Sequence, residues 1–565
     1  MAIEIQPIGD DYFRLRFPYE AALVARVRAL RNRRWNKSEK CWEIHVSQLG
    51  RVLRMFHIEQ RAVDPKLLRA FHIYRIRNFR ARIEAGNVMA RLMGTDLPIK
   101  KIDDATSFHV PGYQFMPRFI DGTWDGRRHL FDRRRMTFPT GLLKRVTNLL
   151  DEAKVAYQIT HPEPEGDEAE AAPEPLALKA PAYQLRDYQQ EALEAALAGE
   201  RGVLELATGS GKTAVAACLI HQLALPALFF VHTRDLLHQT HDFLEEHLGT
   251  AIGRVGDGTI DLKPVTVATV QTCARALGVK APKDTDEEGP DEDPTDIRGA
   301  QETLAAYIRK VPVVFFDECH HLPAEMFYGV AMETHGARYR YGLSATPYRT
   351  DRQDLLLEAA LGPKLYRANA SVLIDKGYLV PPVIRFLAAP VVKVTGKTPD
   401  YKAVVDQCIV DNDARHRLIA AEARKLAKKG RSVLILVSQV RHGEALREHL
   451  PEAPLVQGSD PATARQKVFR ALQRKTTPVV IATTLADEGL DIPTLDAVIL
   501  ASGGKSETRA LQRIGRALRT APKKQAALII DFFDNAPFLK EHALRRLEIF
   551  ESEPRFKVET VGFQP

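Results

Sequence analysis

Short, nearly unbroken apolar runs punctuate the chain from about residue 200 onward. GVLEL (202–206), ALFFVH (227–232), VTVATV (265–270), VVFF (313–316) and GLSAT (342–346) form one series. SVLILV (432–437), PVVIATT (478–484), AVILAS (497–502) and AALIIDFF (526–533) form a second. Strands apolar on both faces and separated by amphipathic stretches predict parallel sheets covered by helices on both sides. Two such series predict two α/β domains in tandem, divided near residues 362–400. The N-terminus reads differently. MAIEIQPIGDDYFRLRF alternates apolar and polar residues and lacks the basic start, apolar middle and small-residue cleavage site of a signal peptide.

Two stretches interrupt the pattern. HPEPEGDEAEAAPEPLALKAP (161–181) is rich in Pro, Glu and Ala and reads as an extended, exposed linker. APKDTDEEGPDEDPTD (281–296) is acidic and reads as a solvated surface insertion.

At 565 residues the chain is too long for one core, which sets a prior of three to five domains. No apolar run reaches about 18 residues, so no transmembrane helix is expected. Five scattered cysteines without a CxxC pair argue against a disulfide scaffold, a structural zinc module or an iron–sulfur cluster. These features fit a reducing cytoplasm. The net charge of +8 is unevenly spread: residues 1–160 hold 30 Lys/Arg against 17 Asp/Glu, a net of +13. The remainder is therefore −5, which suggests a polyanion-binding module joined to a near-neutral engine.

The candidate chemistry begins at LELATGSGKTAVAACLI, from Leu204. A strand enters a glycine-bearing turn and then an apolar helix. Gly209 and Gly211 let backbone N–H groups converge on phosphate oxygens, with Thr208 and Ser210 in the same loop. The helix directs its positive end at the same anion. Lys212 can reach the β- and γ-phosphates, and the Thr213 hydroxyl can hold Mg²⁺. The strict phosphate-loop pattern asks for Gly at 206, where this chain has Leu206. On these residues alone, a loop that binds no nucleotide stays open.

VVFFDECHHLP (313–323) narrows the choice. It holds five adjacent side chains able to ligate a metal, but neighbours at a strand end point in different directions and do not converge on one transition metal. Cys319 reads as a packed thiol. A carboxylate at this strand end, Asp317, suits the second magnesium contact of a phosphate-loop sheet. Glu318 is then placed to orient and activate the water that attacks the γ-phosphate.

ATGSGKT, DECH, SATP, TTLADEGLDIP and QRIGRALR, in that order, resemble the motifs of superfamily 2 helicases of the DExH type, over roughly residues 181–535. The resemblance implies an α/β fold with two tandem RecA-like domains, preceded by small α+β N-terminal DNA-binding domains. It implies ATP and Mg²⁺ between the two lobes and a nucleic-acid strand across them. In YQLRDYQQEAL, Gln189 resembles the adenine-reading glutamine, with Arg186 and Tyr188 nearby. Thr233 and Arg234 in VHTRDLLHQT, and Thr269 and Gln271 in VTVATVQT, resemble strand-contacting residues. Ser344 and Thr346 of LSATP would couple hydrolysis to movement, close to His320. Thr483 resembles a backbone-contacting threonine, and Asp491 a residue at the nucleotide cleft. Glu488 stands where many relatives carry Arg. Gln512, Arg516 and Arg519 recur on one helical face, and the two arginines resemble fingers that cross the cleft to the transferring phosphoryl.

Two stretches of the basic quarter carry further resemblances. RFPYEAALVARVRALRNRRWNKSEKCWEI (16–44) sets Arg31, Arg33, Arg34, Lys37 and Lys40 around Trp35 and Trp42. Cations interleaved with aromatic faces suit single-stranded or distorted nucleic acid. The stretch is similar to the small HARP-like module of annealing helicases, and one of the two tryptophans is expected in the core. Residues 112–146 cluster Arg127, Arg128, Arg133, Arg134, Arg135, Lys144 and Arg145 and resemble the N-terminal domain of UvsW-type helicases. Gly122 and Gly126 suggest turns, with Arg127 and Arg128 on a hairpin loop facing phosphates.

The expected layout is a HARP-like module at 1–60, a UvsW-like domain at 61–160 and a linker at 161–180. RecA-like domains follow at 181–365 and 366–540, then a tail at 541–565. The resemblance implies an ATP-driven DNA helicase or translocase of the UvsW/XPB-like branch. It would travel 3′-to-5′ and remodel forks, D-loops, Holliday junctions or R-loops in recombination, repair or replication. The expected partners are single-stranded and branched DNA and recombination or replication proteins. A monomer in the cytoplasm of a bacterial or phage-infected cell is expected, with no membrane contact. The alternatives are a DExH RNA helicase, a duplex translocase that does not separate strands, and a nucleic-acid switch with a vestigial ATPase.

Overall fold

The second apolar series folds as its pattern predicts. In the computed structural model its runs become the strands Val433–Val437, Val479–Thr483, Ala497–Leu500 and Ala527–Phe533, each buried along its length. The structure describes the chain except residues 1–2, 10, 57, 59–62, 79, 162–173, 280–293, 346–353, 396–399, 484–494, 504–517, 522–523 and 564–565. Most of the stretches read as linker and as acidic insertion therefore lie outside the described residues.

Contacts divide the chain into two units. The smaller comprises Met1–Thr106, Phe131–Phe138 and Leu143–Glu163; the larger comprises Ser107–Leu130, Pro139–Leu142 and Pro164–Pro565. In the smaller unit, four antiparallel strands run Glu4–Ile8, Tyr12–Arg16, Cys41–His45, Arg33–Asn36 across a sheet. Phe13, Leu15, Ile44, Val52 and Leu67 form its own core. A second sheet of this unit pairs Tyr157–Thr160 in parallel with Ala81–Ala85, which pairs antiparallel with Met89–Gly94.

The larger unit holds two parallel sheets, the two tandem RecA-like lobes. The first runs Thr259–Asp261, Gly253–Gly256, Val265–Thr269, Ala227–Val231, Val313–Asp317, Tyr339–Ser344, Arg201–Leu206, Lys364–Ala368 across eight strands. Only the pair at 253–261 is antiparallel. The second runs Leu455–Val456, Val479–Thr483, Val433–Val437, Ala497–Leu500, Ala527–Phe533, Pro382–Ala388, Lys557–Val561, with every pair parallel. Parallel order brings the C-terminal ends of the strands to one edge of each sheet, the edge where ligands of open α/β sheets bind.

Part of the stretch read as linker is attached. Leu176 N–H donates to the Ala224 carbonyl and Lys179 N–H to the Leu248 carbonyl, both at 2.8 Å. Leu176 and Leu178 pack on the first-lobe core. Two leucines among Pro, Glu and Ala are enough apolar surface to hold that segment down.

Two buried ion pairs lock the strand Ala527–Phe533 and the residue that follows it. Arg415, fully buried, donates to Asp534 at 2.9 Å and to the Ala501 carbonyl at 2.8 Å. Arg546 donates to Asp531 at 2.8 Å. Arg415→Met is expected to destabilise this lobe by about 3 kcal/mol, because Asp534 is left buried without its counter-charge. Urea unfolding checks this, and Arg415→Met with Asp534→Leu should recover most of the loss.

Among the described residues no helix is long and apolar enough to cross a membrane.

Candidate active site and nucleic-acid interface

The strand Arg201–Leu206 delivers the chain into the loop 207–211, and the helix Lys212–Leu223 leaves it. Gly209 and Gly211 both have φ of +81°, a conformation that side-chain-bearing residues rarely adopt. A Cβ at Gly211 would lie 2.6 Å from Gln189 Nε2. Leu206, where the strict pattern has Gly, is the buried last residue of the strand. The left-handed turn needed at the loop is supplied three residues later, by Gly209. Thr208 Oγ1 and Ser210 Oγ are buried and have no hydrogen-bond partner among the described residues. Orphaned hydroxyls inside a glycine loop fit a phosphate that accepts from them.

Behind the loop, Gln189 Nε2 and Tyr188 Oη both donate to the Ser210 carbonyl, at 2.6 and 2.7 Å. Gln189 Oε1 accepts from the Arg186 N–H. Gln189 thus ties the start of its own helix to the loop. The Arg186 guanidinium lies 4.7 Å over the Tyr378 ring, which also packs edge-on against Tyr188. Tyr378 escaped sequence reasoning, because it is a lone tyrosine outside every motif.

The strand Val313–Asp317 ends at the same edge. Glu318 follows in the left-handed region, φ 45° and ψ 51°, a strained setting for a residue with a side chain. Its carboxylate accepts from Lys212 Nζ at 2.7 Å. His320 Nδ1 lies 3.4 Å from its other oxygen, and the Ser344 hydroxyl lies 3.1 Å from the same ring nitrogen. Burial pushes Glu318 up, but Lys212 and His320 outweigh it and hold the carboxyl well below its ordinary range. Burial, with the neighbouring charge of Glu318, pushes Asp317 up to about 6. Burial also opposes the charge on Lys212, yet Glu318 and Asp317 raise its pKa. The group is a compact, water-poor charge cluster at the edge of the glycine loop. Thr213 and Asp317 offer the hard oxygen donors that magnesium takes, and that ion would neutralise phosphate charge.

Arg519 comes from the second lobe. It bridges to Leu379, and the Leu518 carbonyl accepts from the Val380 N–H at 2.8 Å. A Cβ at Gly209 would lie 3.2 Å from Arg519 Nε, so the guanidinium lies against the phosphate loop. Burial lowers its pKa. Thr346, Asp491, Gln512 and Arg516, with Glu488, lie outside the described residues.

The remaining candidates spread along the two lobes and the basic quarter. Thr233 caps the helix Arg234–Leu248, and Arg234 is exposed and pairs with Asp257 at 3.5 Å. Thr269 Oγ1 lies 2.9 Å from Thr272 Oγ1, and Gln271 Nε2 donates to the His232 carbonyl. Thr483 ends its strand, with a buried Oγ1 that has no partner among the described residues. Asp235, beside Arg234, receives Arg465 of the second lobe at 2.8 Å. This clasp joins residues 230 positions apart, and no local signal marks it.

In the smaller unit Trp35 is 47% exposed, directly across from Trp42, which packs on the core. Arg34 pairs with the buried Glu43 and Arg133 with the buried Asp103; Arg134 is exposed. Arg127 and Arg128 stand in a strand, Arg127–His129, rather than in a hairpin loop. The left-handed Gly126 ends the turn before them, so the pair falls on the ladder. Both are partly buried, and Arg128 lies 5.3 Å over the Tyr328 ring.

Two RecA-like lobes with a phosphate loop and acidic strand end on one, and an arginine of the other against that loop, define the class of two-lobed nucleotide motors. Three family models match the chain. They are the type III restriction enzyme res subunit over 182–349, the helicase conserved C-terminal domain over 415–521 and the DNA helicase UvsW N-terminal domain over 90–160. The chain is 28% identical over 398 residues to DNA 3′-5′ translocase XPB2 of Sulfurisphaera tokodaii, covering 63% of this chain and 83% of that one. It is 25% identical over 468 residues to ATP-dependent DNA helicase uvsW of Enterobacteria phage T4, covering 77% and 87%. The crystal structure of T4 UvsW aligns with a TM-score of 0.39 at 21% identity, covering 86% of this chain and 99% of that one. The chain carries regions that match helicase and UvsW N-terminal domains, and it is similar to helicases of the UvsW/XPB-like branch.

Proposed function

We propose that the chain is an ATP-dependent DNA helicase or translocase that moves 3′-to-5′ and remodels branched DNA in recombination, repair or replication. One observation carries this reading: Lys212, Glu318 and, from the other lobe, Arg519 gather around one glycine loop. The names of the relatives supply DNA as the substrate and 3′-5′ as the direction.

The chemistry follows from the resting contacts. Lys212 is held by Glu318 and must leave it when phosphate oxygens enter the loop. Glu318 is then free to accept a proton from an attacking water, while His320 and Ser344 keep the carboxylate in place. Thr213 and Asp317 would hold Mg²⁺. Arg519 meets the charge that develops on the transferring phosphoryl, so it binds most strongly when the lobes are closed. Hydrolysis weakens that contact and lets the lobes part. Thr233, Arg234, Thr269 and Gln271 on one lobe and Thr483 on the other would alternate their hold on a strand. The chain would act as a monomer in a bacterial or phage-infected cell.

The direct test compares ATP hydrolysis with duplex, fork, junction, R-loop and matched RNA. DNA should stimulate turnover and forks should be separated. Stimulation by RNA alone would replace this reading with an RNA helicase. Triplex displacement without fork unwinding would replace it with a duplex translocase.

The exposed cations of the first sheet provide a second test. Residues 1–78 carry 16 Lys/Arg against 8 Asp/Glu, a net of +8. Removing the whole of 1–160 would also remove 107–130 and 139–142, which belong to the larger unit. Replacing Arg31, Arg33, Lys37 and Lys40 by Ala leaves the fold alone, since all four are exposed. Fork affinity should fall, and the slope of log affinity against log salt should flatten by about 3 to 4, near 0.9 per lost phosphate contact. An unchanged slope would remove this sheet from the DNA path.

A further inference from the structure

The segment Ser107–Leu130 builds a feature that the motor does not use. Its ends pair as antiparallel strands, Ser107–His109 with Arg127–His129. Between them a 3₁₀ turn, Tyr113–Phe115, and a one-turn helix, Pro117–Ile120, fold into a knuckle. The base of the knuckle is tightly made. The Tyr113 ring stacks on His109 with centroids 4.5 Å apart and meets Phe119 edge-on at 4.8 Å. A Cβ at Gly126, φ +75°, would strike the Tyr113 ring at 2.3 Å. Trp124 Nε1 donates to the Arg127 carbonyl at 2.8 Å. Both carboxylates of the segment close its turns: Asp121 accepts from the Thr123 N–H and hydroxyl, and Asp125 from the Arg127 N–H.

The tip is the opposite of the base. Phe115 is 85% exposed and Ile120 71%, with Met116 partly exposed beside them. Arg118, on the same turn of helix, is also exposed. A rigid aromatic base therefore lifts two large apolar side chains into water next to a cation. The knuckle is anchored to the first lobe, where Arg128 lies over Tyr328 of the helix Glu325–Glu333. That helix packs against the segment after Val270–Leu277, with Gly329 closing on Val279. Gln271, one of the candidate strand contacts, sits at the start of the same helix 270–277.

We infer that the Phe115–Ile120 knuckle is a base-stacking wedge for a DNA branch point, an inference that rests on the DNA-helicase reading. Two or three apolar tips are too few to cover the roughly 800 Å² per partner of a stable protein interface. They match what opens a base step, where one or two apolar side chains enter the stack and a nearby cation holds the phosphate. A rigid base is needed, because a wedge on a flexible stem would fold back onto the protein instead of parting bases. Anchoring on the first lobe keeps the wedge at a fixed position as the second lobe moves.

The test uses the full chain with Phe115→Ala, Ile120→Ala, the double variant and Phe115→Trp. A fork carrying 2-aminopurine at the branch pair reports unstacking, and anisotropy reports affinity for the fork and for a blunt duplex of equal length. Both positions are exposed, so folding should be unaffected, and ATP hydrolysis stimulated by single-stranded DNA should stay at the wild-type level. The double variant should lose fork affinity about tenfold, with little change on blunt duplex, and should lose the 2-aminopurine signal. Phe115→Trp should restore both. Unchanged fork affinity and unchanged 2-aminopurine signal, in a chain that still shows DNA-stimulated turnover, overturn the wedge and leave the helicase reading standing. A wild-type chain without DNA-stimulated turnover overturns both.

Discussion

Glu318→Gln should lower the turnover number for ATP hydrolysis by 10²- to 10⁴-fold while ATP binding is retained. The range is what a positioned general base contributes. Gln has the shape of Glu and can still accept from Lys212 and lie near His320, so the loop should keep its form. What it lacks is the basicity to take a proton from water. In the resting site Lys212 and His320 hold Glu318 ionised against the cost of burial, and the departure of Lys212 to the phosphates would restore its basicity toward water. Rapid-quench hydrolysis together with binding of a fluorescent ATP analogue separates the two effects. Wild-type turnover in the variant would remove Glu318 from the chemistry. A second consequence follows for Asp317. Its pKa is pushed up by burial and by the charge of Glu318. Neutral Gln removes the second cause, so Asp317 should titrate at lower pH in the variant without nucleotide. Infrared titration of the carboxyl band can follow it.

Arg519→Ala should cost 10³- to 10⁵-fold in turnover, the range associated with an arginine supplied to a transferring phosphoryl. The argument is positional. Arg519 belongs to the second lobe but lies against Gly209 of the first, where a side chain on that glycine would crowd it. Its burial already lowers its pKa, so it gains most when a negative charge arrives. Arg519→Lys should recover little of the loss, because an ammonium lacks the planar fork that spans two phosphate oxygens. Single-turnover hydrolysis at saturating ATP isolates the chemical step. A variant within tenfold of wild type would show that Arg519 only props the lobe interface. Its backbone bridge to Leu379 would then be its main role.

Several features were plain from residue order alone. The buried strands of both lobes are continuous apolar runs, and a parallel sheet requires that of strands covered on both faces. Gly209 and Gly211 were readable as turn glycines because only glycine takes φ of +81° without strain. Asp317 and Glu318 were readable because the strand before them fixes where their backbone ends. Other features were not. Trp35 and Trp42 sit in the same basic stretch and face each other across one side of the sheet, rings 5.1 Å apart, yet only the edge position of the strand Arg33–Asn36 leaves Trp35 exposed while Trp42 packs on the core. Arg127 and Arg128 look like loop cations, and the sheet instead places them in a ladder with Arg128 over Tyr328.

What the sequence by itself determined was local chemistry: which segments bury, which turns need glycine, and which residue types can cradle a phosphate or shift a proton. Those depend on neighbours within a few positions. The tertiary structure alone decided the partnerships across distance. Asp235 meets Arg465 across 230 positions, Arg415 meets Asp534 across 119, and Arg519 meets the loop at Gly209. Such contacts form only once a core has closed or two lobes have come together, because the attraction between two charges acts over ångströms of space and carries no mark along the chain.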